Sequence, residues 1–142
     1  MRRRVDFLLA LVLTLVGGMT YLLFRPRTLL LFYVLDAIGL GGVVDRWRAA
    51  VPVVTEPEFL IYSLPDGLWV ASYVLIIDGL FLSLPAATRL RWAAVIPVLG
   101  LVSEVLQLVG LVPGTFDWAD LFCYGVPYLV YVCFMVKNEK FS

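Results

Sequence analysis

The chain has 142 residues, of which 62% are hydrophobic and 15% are charged, and its mean hydropathy is +0.95. A soluble domain is closer to about half apolar and about a quarter charged, so the composition favours a membrane protein. The 11 basic and 11 acidic residues balance and give no reason to expect a nucleic-acid partner. The sequence contains no histidine, the commonest general base and metal ligand.

Four apolar runs have close to the roughly 20 residues that a helix needs to cross a bilayer. They are residues 7–24, 68–84, 92–112 and 118–136. The first run follows Met-Arg-Arg-Arg but precedes no small-residue cleavage motif, so we predict an uncleaved anchor. The predicted fold is an all-α integral membrane protein, with a single membrane domain over residues 1–142 built as a bundle of four transmembrane helices.

The segment between the first two spans, residues 25–67, contains another apolar run at residues 29–44. This run includes Asp36 and three glycines. With four spans and a cytoplasmic N-terminus, seven basic residues are cytoplasmic and four are outside, as the positive-inside rule favours, and the C-terminus is cytoplasmic too. A fifth span would move Arg89 and Arg91 to the side opposite the N-terminal arginines. We therefore predict that residues 29–44 form an interfacial or re-entrant helix on the outer side.

Ionisable residues within the apolar runs are the strongest functional signal, because a charge there costs about 2.5–3.5 kcal/mol on insertion scales. Glu104 must face the bundle interior or a wet cavity, and Gln107 shares its helix face. Two readings of Glu104 are open: it pairs with an outer arginine or fixes helix packing, or it forms a polar pocket for a ligand. Asp78, near the cytoplasmic end of the second span, is expected to pair with Arg89 or Arg91.

Two further carboxylates, Asp117 and Asp120, open the fourth apolar run and are also three residues apart. Asp117 could simply cap this helix, and Asp120 could oppose its positive end. The Pro113-Gly114 turn, however, folds the fourth helix back beside the third, which predicts one acidic recess on the outer side. Asp66 lies on that side too, and either caps the second span or is a fifth member of the recess. The predicted ligand-binding residues are Glu104, Gln107, Asp117, Asp120 and Asp66.

The stretch from Ser103 to Leu121 carries a resemblance to a known family. It reads S-E-V-L-Q-L-V-G-L-V-P-G-T-F-D-W-A-D-L. It resembles the VanZ-like family of small bacterial multi-pass membrane proteins, whose signature is Glu-x-x-Gln near the end of the third span and Asp-x-x-Asp at the start of the fourth. The resemblance covers residues 68–142, whereas residues 25–66 depart from the family's short loop. It implies a bacterial cytoplasmic membrane location, a cell-envelope role and a link to glycopeptide-antibiotic resistance.

These observations favour a protein that binds the head group of a membrane lipid or glycolipid in the acidic recess. Two alternatives stay open: a metal- or carboxylate-dependent enzyme acting on a lipid-linked substrate, and an accessory subunit of a larger membrane complex. We assign no catalytic residue, metal ligand or cofactor, although three carboxylates and an amide could hold a divalent cation. The expected partners are a membrane lipid or glycolipid, and then a protein partner or a second copy of the chain.

Overall fold

We describe the protein from a computed structural model that covers residues 2–51 and 57–139. Within these ranges the chain forms eight helices and no strand, which confirms that the fold is all-α. In chain order the helices are α1 (Arg2–Phe24), α2 (Leu30–Ala37), α3 (Gly41–Ala50), α4 (Glu58–Tyr62), α5 (Leu64–Leu80), α6 (Ala86–Ala93), α7 (Val95–Leu108) and α8 (Trp118–Glu139).

Three helical segments in the described ranges are long and apolar enough to cross a membrane, which supports a membrane protein. They are Arg4–Phe24 in α1, Ala86–Leu108 across α6 and α7, and Trp118–Lys137 in α8. The second predicted span, residues 68–84, falls on α5. This helix has 17 residues and is about 25 Å long, so it falls short of a typical span. The predicted number of four spans is therefore not confirmed.

The apolar run at residues 29–44 is divided into α2 and α3 because α2 stops at a glycine. Gly39 has a φ of +79°. The N–H of Leu40 donates to the carbonyl of Leu35 at 2.8 Å, and the N–H of Gly39 donates to the carbonyl of Asp36 at 3.1 Å. This Schellman motif is a common way for glycine to end a helix. With 8 and 10 residues, neither α2 nor α3 has the length of a span, and their position relative to a membrane stays a prediction.

Two arginines fasten α2 and α3 to the end of α1. Phe32 of α2 is fully buried, and the guanidinium groups of Arg27 and Arg48 lie 5.3 and 5.5 Å from its ring centre. Arg48 Nη1 also donates to the carbonyl oxygens of Leu22, at 2.7 Å, and Arg25, at 2.9 Å. These carbonyls belong to a helix end, where backbone acceptors have no partner within the helix. Helix α3 therefore holds the end of α1 in place.

The third predicted span, residues 92–112, ends earlier in the structure than the apolar run does. Helix α7 stops at Leu108 because Gly110 has a φ of +73° and forms a second Schellman motif, in which the N–H of Leu111 donates to the carbonyl of Leu106 at 2.9 Å. The connection to α8 therefore comprises residues 109–117. This stop places Glu104 in the last turns of α7 rather than deep within a longer helix.

Helix α5 lies at the centre of the molecule and contacts α1, α4, α6, α7 and α8. Gly17 of α1 faces Trp69 near the start of α5, and Phe7 faces Gly79 near its end, so α1 and α5 run antiparallel. A Cβ atom at Gly17 would come within 2.8 Å of the Trp69 indole nitrogen. Glycine at this position therefore permits the close approach of the two helices.

Helix α8 runs parallel to α5 and antiparallel to α7. Gly67 in the first turn of α5 faces Cys123 in the first turns of α8, while Gly100 of α7 faces Tyr124. Consequently the end of α1, the start of α5, the end of α7 and the start of α8 meet at one end of the bundle. We call it the recess end and the other the opposite end. At the opposite end, Asp78 forms the predicted ion pair with Arg89.

Candidate functional site

The end of α7 and the start of α8 are joined through Glu104. This carboxylate is only 3% exposed, and its Oε2 accepts a hydrogen bond from the backbone N–H of Asp117 at 3.1 Å. The first N–H groups of a helix lack partners within the helix and carry the positive end of its dipole. The N–H of Asp117, at the start of α8, thus supplies one of the hydrogen-bond donors that the buried Glu104 carboxylate requires. Among the described side chains, no ion pair joins Glu104 to an arginine.

Asp117 caps α8, which is one of the two roles that the sequence left open for it. Its Oδ1 accepts a hydrogen bond from the N–H of Ala119 at 2.8 Å, while the residue itself is exposed. Aspartate is among the preferred N-cap residues because a short carboxylate reaches the free N–H groups of the first turn. The cap gives Asp117 a structural role through its side chain, in addition to the contact between its backbone and Glu104.

Asp66, in the first turn of α5, lies close to the end of α7 and the start of α8. Its Oδ2 accepts a hydrogen bond from the hydroxyl of Tyr124 at 3.4 Å and lies 3.7 Å from Nη2 of Arg25. The side chain is 17% exposed. No side chain caps α5, so the capping role considered for Asp66 is not observed. Its carboxylate instead faces the neighbouring helices.

Asp66, Glu104 and Asp120 together form an acidic recess at the recess end, and we use this name for these three residues. The carboxylates lie close enough to repel each other electrostatically. Within the described ranges, Arg25 pairs with Asp66, one of the three. The Oδ1 atom of Asp120 is buried and has no hydrogen-bond partner among the described residues. The three carboxylates thus have one paired guanidinium among the described side chains, an arrangement that favours a bound cationic or hydrogen-bond-donating group.

Gln107 lies one turn after Glu104, beside the connection between α7 and α8. A Cβ atom at Gly114 would come within 2.7 Å of the Gln107 amide carbon, and Gly114 has a φ of +139°, so both space and backbone geometry favour glycine there. The amide therefore packs against the turn. The structure brings together four of the five predicted residues, Asp66, Glu104, Asp117 and Asp120, and places Gln107 at the margin. Ligand binding by any of them stays a prediction.

Two residues of the site, Tyr124 and Arg25, were not predicted from the sequence as members of it. Tyr124 follows Asp120 by four residues and so shares its helix face, and this spacing could have predicted that Tyr124 belongs to the site. Arg25 had been considered as a partner of Glu104, but it pairs with Asp66. It also donates to the carbonyl of Tyr62 at 2.8 Å, and its guanidinium lies 5.2 and 5.0 Å from the ring centres of Tyr21 and Tyr62. These contacts hold the guanidinium at the edge of the recess.

The carboxylates of the recess provide negative charge and hydrogen-bond acceptors. Within residues 2–51 and 57–139, no group of three or more aspartate, glutamate, cysteine or histidine side chains is arranged to hold a metal ion.

Comparison with known proteins adds no family or function. No protein-family model, no curated protein and no solved structure matches the chain. The resemblance to the VanZ-like family rests on the sequence motif at residues 104–120, and it stays a prediction.

Proposed function

We propose that the chain is a VanZ-like cell-envelope membrane protein that binds the head group of a lipid or glycolipid in the acidic recess. The observation that carries this proposal is the burial of Glu104 beside Asp66 and Asp120, with Arg25 as the paired cation. Buried carboxylates are costly without compensation, and the partners in the described ranges compensate them incompletely. A ligand that supplies positive charge or several donors would complete the site.

The chemistry of the recess favours a head group with an ammonium or with sugar hydroxyls. An ammonium would be attracted by the carboxylates, whereas hydroxyls would donate to them and could accept from the Tyr124 hydroxyl. Arg25 lies at the edge of the recess and is suited to a phosphate oxygen of the same head group. A zwitterionic phospholipid or a glycolipid fits this combination better than a purely anionic lipid does.

The proposed topology has four spans, an outer recess and both termini in the cytoplasm of a bacterial cell. The alternating helix directions support it, as does the location of Arg4, Arg89 and Arg91 towards the opposite end of the bundle, which is the side that the positive-inside rule assigns to the cytoplasm. Helix α5 would be the second span in chain order, short and shielded by its neighbours. Helices α2 and α3 would lie in the outer interface, where Leu30 and Tyr33 expose 78% and 63% of their surface.

The binding proposal can be tested by native mass spectrometry of the purified protein with added phosphatidylethanolamine, a glucosyl diacylglycerol or phosphatidylglycerol. We expect the first two lipids to bind more tightly than the third. Glu104→Gln and Asp120→Asn keep side-chain size but remove charge, and each should weaken phosphatidylethanolamine binding by about tenfold. Asp45→Asn is the matched control, because Asp45 is exposed and pairs with Arg27 away from the recess.

The proposal would be wrong if Glu104→Gln and Asp120→Asn both fold normally and bind all three lipids as the unmodified protein does. A link to glycopeptide antibiotics can be tested separately, by the inhibitory concentration of a glycopeptide for bacteria that express the protein. We expect a higher concentration with the unmodified protein than with Glu104→Gln at equal amounts in the membrane. Equal values would remove the antibiotic link but not the lipid site.

A further inference from the structure

A cavity lies away from the acidic recess, between α1, α5 and α8. Its volume is about 500 Å³, which lies within the range of small-molecule sites in proteins. Leu9 and Leu13 of α1, Ala71 of α5 and Pro127 of α8 are among the apolar residues that line it. None of the five predicted site residues lines this cavity, so it is a separate feature of the fold.

The cavity is polar at one end and apolar at the other. Asp6 and Asp78 line the end that lies towards the start of α1, whereas Leu13 and Ala71 line the end nearer the middle of the bundle. Seven residues separate Asp6 from Leu13 and Ala71 from Asp78, so the two ends are about 10 Å apart along the helices. A lipid in a bilayer leaflet has the same arrangement, with its polar group outward and its hydrocarbon chain inward.

The two carboxylates of the cavity differ in their partners. Asp78 forms an ion pair with Arg89 and accepts a hydrogen bond from the Tyr131 hydroxyl at 2.6 Å. The Oδ2 atom of Asp6, by contrast, is buried and has no hydrogen-bond partner among the described residues. A buried carboxylate oxygen without a donor is unfavourable, and a cation that entered the polar end would relieve it. The cavity is therefore complementary to an amphiphile with a positive head.

We propose that this cavity binds a membrane lipid with an ammonium head group, whose ammonium lies beside Asp6 and whose hydrocarbon chain lies between Leu13, Ala71 and Pro127. The site is distinct from the acidic recess and does not depend on the function proposed for it. It lies at the opposite end of the bundle, so its lipid comes from the other leaflet.

The test uses the full chain in nanodiscs of phosphatidylglycerol that contain a small fraction of phosphatidylethanolamine with a spin label on its acyl chain. Electron paramagnetic resonance gives the fraction of labelled lipid that the protein immobilises, and spin-labelled phosphatidylglycerol is the reference. We expect a preference of about tenfold for phosphatidylethanolamine. Asp6→Asn should reduce that preference to near unity, because it removes the charge but keeps the side-chain shape.

A second variant tests the chain-binding part of the cavity. Leu9→Trp places a large ring in the cavity and should reduce immobilisation of both labelled lipids, whereas Leu8→Trp, at a neighbouring position that is 64% exposed and does not line the cavity, should have little effect. Should Leu9→Trp fail to fold, Leu13→Phe serves the same purpose. All of these measurements are made in a Glu104→Gln background, because the acidic recess is itself proposed to bind phosphatidylethanolamine, and the remaining signal then reports on the cavity.

Three outcomes would overturn the proposal. The first is an equal affinity of the Glu104→Gln protein for the two lipids, and the second is a preference that survives when Asp6→Asn is added to it. The third is a dimer in the nanodisc that Leu9→Trp dissociates without changing the lipid preference, since a second copy of the chain would then occupy the cavity. Circular dichroism and size-exclusion elution of each variant establish that it folds.

Discussion

The carboxylate of Glu104 in α7 accepts a hydrogen bond from the backbone N–H of Asp117, at the residue that precedes α8. The carboxylate of Asp117 then accepts from the N–H of Ala119 two residues later. Two carboxylates, one in α7 and one just before α8, therefore accept hydrogen bonds from N–H groups at the start of α8. Their charge and their hydrogen bonding can be separated by substitution, because the amides of glutamine and asparagine accept hydrogen bonds without carrying charge.

Substitution of Glu104 should affect stability and ligand binding differently. Glu104→Gln keeps an acceptor for the Asp117 N–H and should change the unfolding free energy by less than about 1 kcal/mol, while ligand binding falls. Glu104→Ala leaves that N–H without its partner and should cost about 1–3 kcal/mol. Thermal unfolding in a single detergent measures the difference. Equal loss of stability in both variants would show that the charge itself holds the helices together.

Asp117 should tolerate asparagine but not alanine. Asparagine and aspartate are about equally good N-caps, whereas an alanine at an N-cap costs about 1 kcal/mol. Asp117→Asn should therefore unfold at nearly the temperature of the unmodified protein, and Asp117→Ala at a lower one. Thr115→Ala, in the same exposed connection, is the control. If Asp117→Asn lowers lipid binding at unchanged stability, then the charge of Asp117 contributes to the ligand site as well.

The Asp78–Arg89 ion pair should be the most sensitive polar contact at the opposite end. Asp78 is 3% exposed, and removal of Arg89 would leave its charge without that partner in an apolar setting. Loss of one member of a buried pair typically costs about 3–5 kcal/mol, so Arg89→Leu should strongly lower the unfolding temperature. Arg91→Leu is the matched control, since Arg91 is exposed on the same helix. A similar effect of both substitutions would contradict this assignment.

Two glycines at helix surfaces should respond in opposite ways to alanine. A Cβ atom at Gly100 would lie 2.5 Å from the Tyr124 ring, so Gly100→Ala should force α7 and α8 apart and cost about 1–3 kcal/mol. A Cβ atom at Gly18 would have no neighbouring atom within 4 Å, so Gly18→Ala should be neutral or stabilise α1 by up to about 1 kcal/mol. Unfolding in detergent, together with the binding assay for the recess, measures both. Equal effects would show that α7 and α8 pack less closely than described.

The proposed topology predicts from which side of the membrane each loop can be labelled. In a background with Cys123 and Cys133 replaced by alanine, Asp45→Cys should react with a membrane-impermeant maleimide in intact cells. Arg91→Cys should react only after the cells are opened. The expected contrast follows from placing α3 outside and α6 at the cytoplasmic side. Labelling of both positions from the same side would show that the chain crosses the membrane an even number of times between them, and not once through α5 as proposed.

Side-chain contacts within one helix end or with a neighbouring loop could be predicted from the sequence, because few side chains compete for them. The cap at Asp117 and the Asp78–Arg89 pair were both predicted, because each depends on one helix end or one neighbouring loop. The end of α7 was missed, since an apolar run continues to Val112 while Gly110 already stops the helix. Hydropathy records which residues favour a bilayer, but the backbone conformation of a single glycine decides where the helix ends.

Contacts between distant segments were harder to predict. Four arginines follow the first span, and the sequence alone cannot rank them as partners of Glu104. In the structure, the Arg25 guanidinium lies beside Asp66 and contacts the rings of Tyr21 and Tyr62. This pairing depends on the relative positions of three helices, α1, α4 and α5. The cavity beside Asp6 was missed for the same reason, because its lining comes from residues up to 128 positions apart in sequence, from Asp6 to Phe134.

The hydrogen bonds from Arg48 to the end of α1 give the segment before α5 an influence on the recess. Arg48 holds the carbonyl of Arg25 at 2.9 Å, while the guanidinium of Arg25 lies 3.7 Å from Asp66. Helix α3 cannot shift without either breaking these bonds or moving the backbone of Arg25. Bending or crowding of the surrounding lipid that displaced α3 would thereby alter the electrostatic field at Asp66 through a single residue.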